Sequence, residues 1–495
     1  MTLRRLAVAV IGLALLFVSV LGLAGCGRKN ITQPLLGGPH TTIFIDAPVD
    51  THGVNHVVHL HWFGSDPHGY IAGYDVRLID STAVASDTGW VFTTATDSVI
   101  TVATPTGFAG KVFEARAIND HGVKDPNPAR QHFYFRNLPP IVKILTKPNR
   151  GDKSDTTFAS ATITWSVSDI DGDASKVITR IWLDGHADSP VTASGTSFTV
   201  PSEQFKLAGA WASGRRTLFI RGIDDGGLVG PVDSVSWYVK APVDVPDAQG
   251  YGRLLLIDDL PNTEPSNPRA DALYLNAVSG AGLPPGSWRL LRLQTTQPFR
   301  SPQDLEQTCK QFRSVVWYRG PQPGFALTLS NNADGIPPYV RSGGKFYVES
   351  LNLVRTWSST GPFDPNFIQQ NFDADGVFVR AEPPDSSATW GLVGGTVLQS
   401  PLLGDSLQNT PIFEGMNAFI FRNPAEVLLS APAHKLTQDN PIDYALALSV
   451  PQPNGGLLVV NSYPLVQASV DAPTLPQRAS EFLARVLQLL GATGP

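Results

Sequence analysis

Between residues 41 and 241 apolar and polar side chains alternate, the period-two signature of half-buried strands. Val58, Leu60 and Trp62 fall on one side of such a strand, and Val57, His59 and His61 on the other. Ile71-Ala-Gly-Tyr74-Asp-Val76-Arg-Leu78 and Phe113-Glu-Ala-Arg-Ala-Ile118 repeat the alternation. After the proline-containing stretch Ala241–Pro246 the pattern changes to short apolar runs separated by segments of helical period. Leu254-Leu-Leu-Ile257, ending on Asp258 and Asp259, predicts a buried parallel strand with polar residues at its carboxyl end. The spacing then predicts helices over 269–281 and around 305–312, strands over 289–293, 315–318, 345–349 and 457–460, and a closing helix over 477–490. Residues 250–495 therefore read as a doubly wound α/β domain.

The alternating region contains an internal repeat. Trp62-Phe-Gly-Ser-Asp66-Pro-His-Gly69 matches Trp165-Ser-Val-Ser-Asp169-Ile-Asp-Gly172 at an offset of 103, and Arg116-Ala-Ile-Asn-Asp-His-Gly122 matches Arg221-Gly-Ile-Asp-Asp-Gly-Gly227 at an offset of 105. A period of roughly a hundred residues suits one β-sandwich per copy, here residues 41–138 and 139–241. In each copy the tryptophan fills the inter-sheet core and the Asp-x-x-Gly segment turns the chain. Tryptophan in an early strand, Gly-Tyr-x-Val in the next, and a late strand running into Asn-Asp-x-Gly resemble fibronectin type III and related immunoglobulin-like domains. The fold class expected is thus two tandem all-β sandwiches followed by a doubly wound α/β domain.

Ahead of the repeat, Arg4 and Arg5 precede an apolar run that closes on Leu23-Ala24-Gly25-Cys26. That ending resembles the lipobox of bacterial lipoproteins. The resemblance implies a signal peptide over 1–25, a diacylglycerol on Cys26, acylation (palmitate) of the new amino terminus, and residues 26–40 as a lipidated tether. Gly27 in place of an aspartate implies outer-membrane delivery under that family's sorting rule. The expected location is the lipid-anchored cell envelope, with the membrane as a partner through the lipid.

With 42% apolar residues the chain can bury several cores, and a formal charge of −6 without a basic cluster argues against nucleic acid. Its two cysteines leave no disulfide once Cys26 carries lipid. Cys309 shares a helical face with Leu305 and Phe312 and reads as a small buried hydrophobe.

Two metal readings stand beside plainer ones. Asp169, Asp171 and Asp173 around Gly172 offer oxygen ligands at alternate positions for calcium, or form a solvated acidic turn, since the EF-hand glycine and glutamate positions are missing. His52, His56, His59, His61 and His68 crowd together; His59 and His61 share a strand face that suits either a transition metal or a polar surface.

Residues 250–495 resemble the class I glutamine amidotransferase-like fold. Active members carry a Gly-x-Cys-x-Gly elbow and a late His-Pro-Glu; here the elbow reads Val348-Glu349-Ser350-Leu351-Asn352 and the late motif Tyr463-Pro464-Leu465. Without cysteine and histidine the family's chemistry is lost. Ligands in open α/β sheets bind beyond the carboxyl strand ends, which makes Asp258, Asp259, Glu349 and Ser350 the candidate binding residues, with loop capping as the alternative. The expectation is a non-catalytic envelope protein that binds protein or glycan through this domain. The alternatives are an envelope hydrolase working through these carboxylates and a structural spacer.

Overall fold

A computed structural model of the chain describes residues 38–45, 57–83, 87–102, 104, 107–146, 148, 156–260, 267–293, 299–319, 327–351, 353, 363, 367–372, 377–380, 391–392, 397–408, 413–414, 418–421, 425–431, 444–465 and 475–493. The chain divides into two compact units, one ending at Asn137 and one beginning at Leu138.

In the first unit β1 (His40–Ile45), β2 (Val57–Ser65), β3 (Ile71–Asp80), β4 (Val91–Thr93), β5 (Asp97–Thr101), β6 (Phe108–Asn119) and β7 (Ala129–Arg136) form two sheets, ordered β1-β2-β5 and β4-β3-β6-β7. Their inner faces enclose Leu60, Trp62, Tyr74, Phe113, Phe133 and Phe135. Trp62 lies 5.3 Å from the Phe113 ring and meets Tyr74 edge-on, so the alternation read from the sequence packs a sandwich core. The outer face of the larger sheet is ionic. Arg116 Nε donates to Asp75 across the strands at 3.0 Å, Lys124 Nζ reaches the same carboxylate at 2.8 Å, and Arg77 Nε donates to the buried Glu114 at 2.6 Å.

The second unit opens with the other sandwich: β8 (Ile141–Ile144), β9 (Thr156–Thr157), β10 (Ala161–Ser168), β11 (Ile178–Leu183), β12 (Val191–Ala193), β13 (Ser197–Val200), the short pair β14 (Lys206–Leu207) and β15 (Ala210–Trp211), β16 (Gly214–Ile223) and β17 (Asp233–Val239). The sheets run β13-β10-β8 and β12-β11-β16-β17-β9, around Trp165, Ile181, Phe205, Leu218 and Trp237. The repeat is visible bond by bond. Asn119 N–H donates to Val123 C=O and Asp224 N–H to Leu228 C=O, while Asp125 N–H donates to Ala117 C=O and Gly230 N–H to Gly222 C=O, each pair offset by 105. The same turn needs a left-handed residue in both copies, supplied by Gly122 at φ +74° and Gly227 at φ +85°.

From Gly252 onward one mixed sheet organises the chain. Its parallel part comprises β18 (Gly252–Asp258), β19 (Trp288–Arg292), β20 (Phe312–Tyr318), β21 (Lys345–Glu349) and β30 (Leu457–Asn461), in the order β19-β18-β20-β21-β30. Helices α1 (Asn267–Gly280) and α6 (Leu475–Leu489) cover one face through Tyr274, Ala277, Phe482 and Val486. The other face is covered by α2 (Pro302–Cys309), α3 (Leu327–Asn332), α4 (Ile336–Arg341) and α5 (Phe367–Phe372), through Leu305, Cys309, Ile336, Tyr339 and Phe367.

Two sequence expectations change here. Helix α2 stops at Cys309 and Phe312 opens β20, so Phe312 joins the core from a strand and not from the helical face shared by Leu305 and Cys309. The sheet is also extended by antiparallel strands. Beyond β30 it continues through β29 (Tyr444–Pro451), β28 (Glu426–Ala431), β24 (Val397–Ser400) and β25 (Asp405–Gln408), with β22 (Val377–Arg380) and β27 (Ala418–Phe421) branching from β29 and a separate pair β23 (Gly391–Leu392) and β26 (Phe413–Glu414). These are short strands lacking the long helical period on which the doubly wound expectation rests.

The second sandwich is joined to this sheet by side-chain amides and hydroxyls. Gln311 Nε2 donates to Ala159 C=O at 3.2 Å while its Oε1 accepts from Ala159 N–H at 3.1 Å, which satisfies both groups of a backbone unit buried away from water. Ser160 Oγ donates to Asp304, and Gln307 Oε1 accepts from Ser202 N–H at 3.0 Å. Gln311→Ala orphans the Ala159 N–H and C=O, and we expect roughly 2–4 kcal/mol lost in urea denaturation, with the sandwich melting ahead of the rest. A single unshifted transition would show that the clasp carries no stability.

Candidate functional site

The parallel strands end in register. Asp258 stands opposite Arg292 on one side and Tyr318 on the other, and Glu349 opposite Tyr318 and Asn461. Arg292, Asp258, Tyr318, Glu349 and Asn461 thus form one polar row across the carboxyl edge of the sheet, each following an apolar stretch in its own strand. In a parallel sheet residues at one register point to one face, here the face covered by α1 and α6.

Glu349 is the centre of the row and has no solvent exposure. Its Oε2 accepts from Tyr347 Oη at 2.5 Å, from Tyr274 Oη at 2.9 Å and from Asn461 Nδ2 at 3.2 Å; its Oε1 accepts from Leu465 N–H at 3.1 Å. Burial pushes its pKa up to about 7, and the surrounding donors keep it from rising further. The Tyr274 and Tyr347 hydroxyls are pushed well above the ordinary phenol value, by burial first and the Glu349 charge second. Tyr318 stacks on Tyr274 with centroids 3.7 Å apart, and its own hydroxyl is buried with no hydrogen-bond partner among the described residues. Asp258, equally buried, accepts from Leu260 N–H at 3.0 Å and has Arg292 Nε 3.7 Å away.

The expected carboxylates are not all together. Asp258 and Glu349 belong to the row, with Tyr318 between them. Asp259 follows Asp258 in the chain and therefore turns to the opposite side, where Trp317 Nε1 donates to it at 3.2 Å and Arg319 lies at 3.4 Å. Burial raises its pKa, opposed by that arginine. Ser350 is buried beyond the row, its N–H donating to Asn461 C=O at 3.1 Å. Tyr463 is also buried, with its phenol pushed up by burial and then by Glu349. Cys309 lies within α2 against the other face, and burial pushes its thiol far above the range in which a thiolate forms near neutrality.

Sequence reasoning missed Tyr274, Tyr318, Tyr347 and Asn461. A signal for three was present: Tyr347 is two residues before Glu349 on the same strand face, and Tyr318 and Asn461 are the polar ends of neighbouring apolar runs. Tyr274 arrives from a helix, and no local pattern foretells that contact.

The calcium and histidine candidates are placed as follows. Asp173 caps a short 3₁₀ turn through Ser175 N–H and Oγ, Asp171 accepts from Leu138 N–H at 2.9 Å, and Asp169 has its pKa raised by burial and by the adjacent Asp171 carboxyl. His59 and His61 do share a strand face, with rings 4.2 Å apart and His59 Nε2 3.1 Å from Asp97. Among the described residues no three acidic, histidine or cysteine side chains are grouped so as to hold a metal ion. Cys26, His52 and His56 lie outside the described residues.

No protein-family model matches the chain, and no curated protein matches it. Among solved structures it is similar to the fibronectin(III)-like modules of CbhA from Clostridium thermocellum, at 16% identity and TM-score 0.18, over 40% of this chain and 94% of that one. It is also similar to the FN1–FN3 domains of chicken CNTN1, at 15% identity and TM-score 0.17, over 41% of this chain and 67% of that one. The sandwich assignment rests on the strand order and cores described above.

The buried carboxyl gives the unit a pH signature. Because its folded pKa of about 7 lies above the ordinary glutamate value of 4.5, folding holds a proton that the unfolded chain releases, so stability falls as pH rises from 4.5 to 7. The expected loss is roughly 3 kcal/mol. Glu349→Gln should remove that part of the slope in urea midpoints measured across the window; parallel slopes for native and variant chains would refute it.

Proposed function

We propose that the chain is a cell-envelope lipoprotein, anchored through acyl chains on Cys26 and delivered to the outer membrane, in which fibronectin type III-like sandwiches carry a doubly wound, class I glutamine amidotransferase-like domain that binds protein or glycan without catalysing a reaction. The observation that carries the reading is Glu349. It stands one residue before Ser350, the position at which the related fold has its nucleophile, is closed off from solvent, and has its oxygens engaged by Tyr347, Tyr274, Asn461 and Leu465. A carboxylate so occupied neither attacks a carbonyl nor accepts a substrate proton without dismantling its own site. The late motif supports the same reading, since Tyr463 has a raised pKa where the related fold has a histidine base.

A second reading has two observations in its favour. A carboxyl with a pKa of about 7 is what a general acid at neutral pH requires, and Tyr318 Oη lies unpartnered in the same row. An envelope hydrolase using Glu349 and Asp258 would draw on this pair.

Two measurements test the proposal. Mass spectrometry of the chain extracted from membranes should find cleavage before Cys26 and fatty acylation, with Cys26→Ser abolishing both; Met1 retained without lipid would overturn the anchoring. Purified native chain should turn over amide, ester and glycoside substrates no faster than Glu349→Gln. Hydrolysis that the substitution removes would replace the binding reading with the hydrolase.

A further inference from the structure

The two sandwiches carry opposite solutions on the same sheet face. In the first copy Asp75 faces Arg116 across β3 and β6, and Arg77 faces Glu114. At the offset of 105 fixed by the shared turn bonds, the corresponding residues of β11 and β16 are Arg180 facing Arg221, and Trp182 facing Phe219. Lys124, which shares Asp75 in the first copy, corresponds to Val229. Every carboxylate in the first copy's network has been replaced, while one arginine is kept and a second is placed directly opposite it.

Like charges directly opposite on neighbouring strands destabilise a sheet. The first copy avoids that cost with its own carboxylates. Among the described residues the side chains of Arg180 and Arg221 make no ion pair or hydrogen bond; Arg221 lies over the Trp182 ring at 5.4 Å, and its Nε is buried without a partner. Acids nearby in sequence are engaged elsewhere, Asp224 by Leu228 N–H at 2.8 Å and Asp225 by Lys176 at 3.5 Å. Beside the arginines, Trp182 and Phe219 form a stacked cross-strand pair, centroids 5.7 Å apart and planes 16° from parallel. The hydroxyl residues Thr192, opposite Arg180, and Ser234, opposite Phe219, complete the rows.

We infer that this face of the second sandwich binds an acidic polysaccharide. The anion that Asp75 supplies within the first copy is supplied to the second by a sugar carboxylate held between Arg180 and Arg221. Guanidinium forks match carboxylate geometry and hold it by charge-assisted bonds. The Trp182–Phe219 pair gives a π surface on which the weakly positive C–H face of a pyranose ring rests. An acidic peptide adding as a strand needs a free sheet edge, whereas Arg180 and Arg221 lie on interior strands, flanked by β12 and β17. The inference rests on the second sandwich alone, so its failure leaves the reading of the Glu349 domain where it stands.

The test is calorimetric titration of the detergent-solubilised full chain with polygalacturonate, with neutral dextran and polyglutamate as comparisons. Polygalacturonate should bind, more weakly as salt rises, and the other two should not. Arg180→Asp, which copies the first sandwich, should form a cross-strand pair with Arg221, preserve or raise the melting midpoint, and weaken binding by roughly tenfold or more. Trp182→Ala should weaken binding too. Unchanged affinity in a folded Arg180→Asp chain, no binding of polygalacturonate, or equal binding of polyglutamate would each overturn the assignment.

Discussion

Glu349 occupies the last position of a central parallel strand, where water is excluded on every side, and a carboxyl in that environment either gives up its charge or recruits donors. Here the neighbouring elements are arranged to donate. Asn461 reaches it from the adjoining strand, Tyr347 from two residues earlier on the same strand, Tyr274 from the helix packed above, and Leu465 through its backbone from the chain beyond β30. One group thus fixes the relative placement of two strands, a helix and a loop. The compromise shows in its proton affinity, since desolvation and hydrogen bonding pull in opposite directions and leave the group poised near neutrality. With donors on both of its oxygens, the carboxyl is held in one arrangement at the edge of the sheet.

How far the sequence reveals this depends on which contacts are local. The repeat was legible because matched tryptophans, turns and glycines recur at nearly constant offset, and the structure reproduces the offset in its turn hydrogen bonds. The parallel strands were legible as apolar runs, and Asp258 and Glu349 as their polar ends. Asp259 was misplaced for a simple reason: adjacent residues of a strand face opposite ways, so Asp258 and Asp259 could not serve one site. Tyr274 and the antiparallel extension from β29 to β25 were invisible, the first because a helix delivers it and the second because short strands carry too little period. Phe312 shows the limit of helical spacing. It fits the i+7 position after Leu305, yet the helix ends at Cys309 and a strand begins.

The two sandwiches show how one fold holds alternative surfaces. In the first, Arg77 and Arg116 lie over the Trp90 ring at 4.1 and 4.2 Å while their charges are met by Glu114 and Asp75, a closed network whose members depend on one another. Removing Glu114 from such a network takes away the carboxylate that meets the largely desolvated Arg77 guanidinium. The second sandwich has the arginines and the aromatic rings without the acids. Its inner face keeps Trp165 and Trp237 in the core, so the difference lies in the surface and not in the packing.

This division of labour follows from where each side chain points. Residues of β11 and β16 alternate between a core that tolerates only apolar or fully paired groups and an outer face on which the fold imposes no such demand. Arg216 illustrates the first condition. It is buried on the inner side and finds Asp184 at 2.8 Å and the Phe205 carbonyl at 2.7 Å, so its charge is fully accounted for within the protein. Arg221, five residues along the same strand, is on the outer side and has only an aromatic ring. The folding of the sandwich explains the first arginine and leaves the second unexplained, and a charge that stability does not require is where recognition of something outside the chain is to be sought.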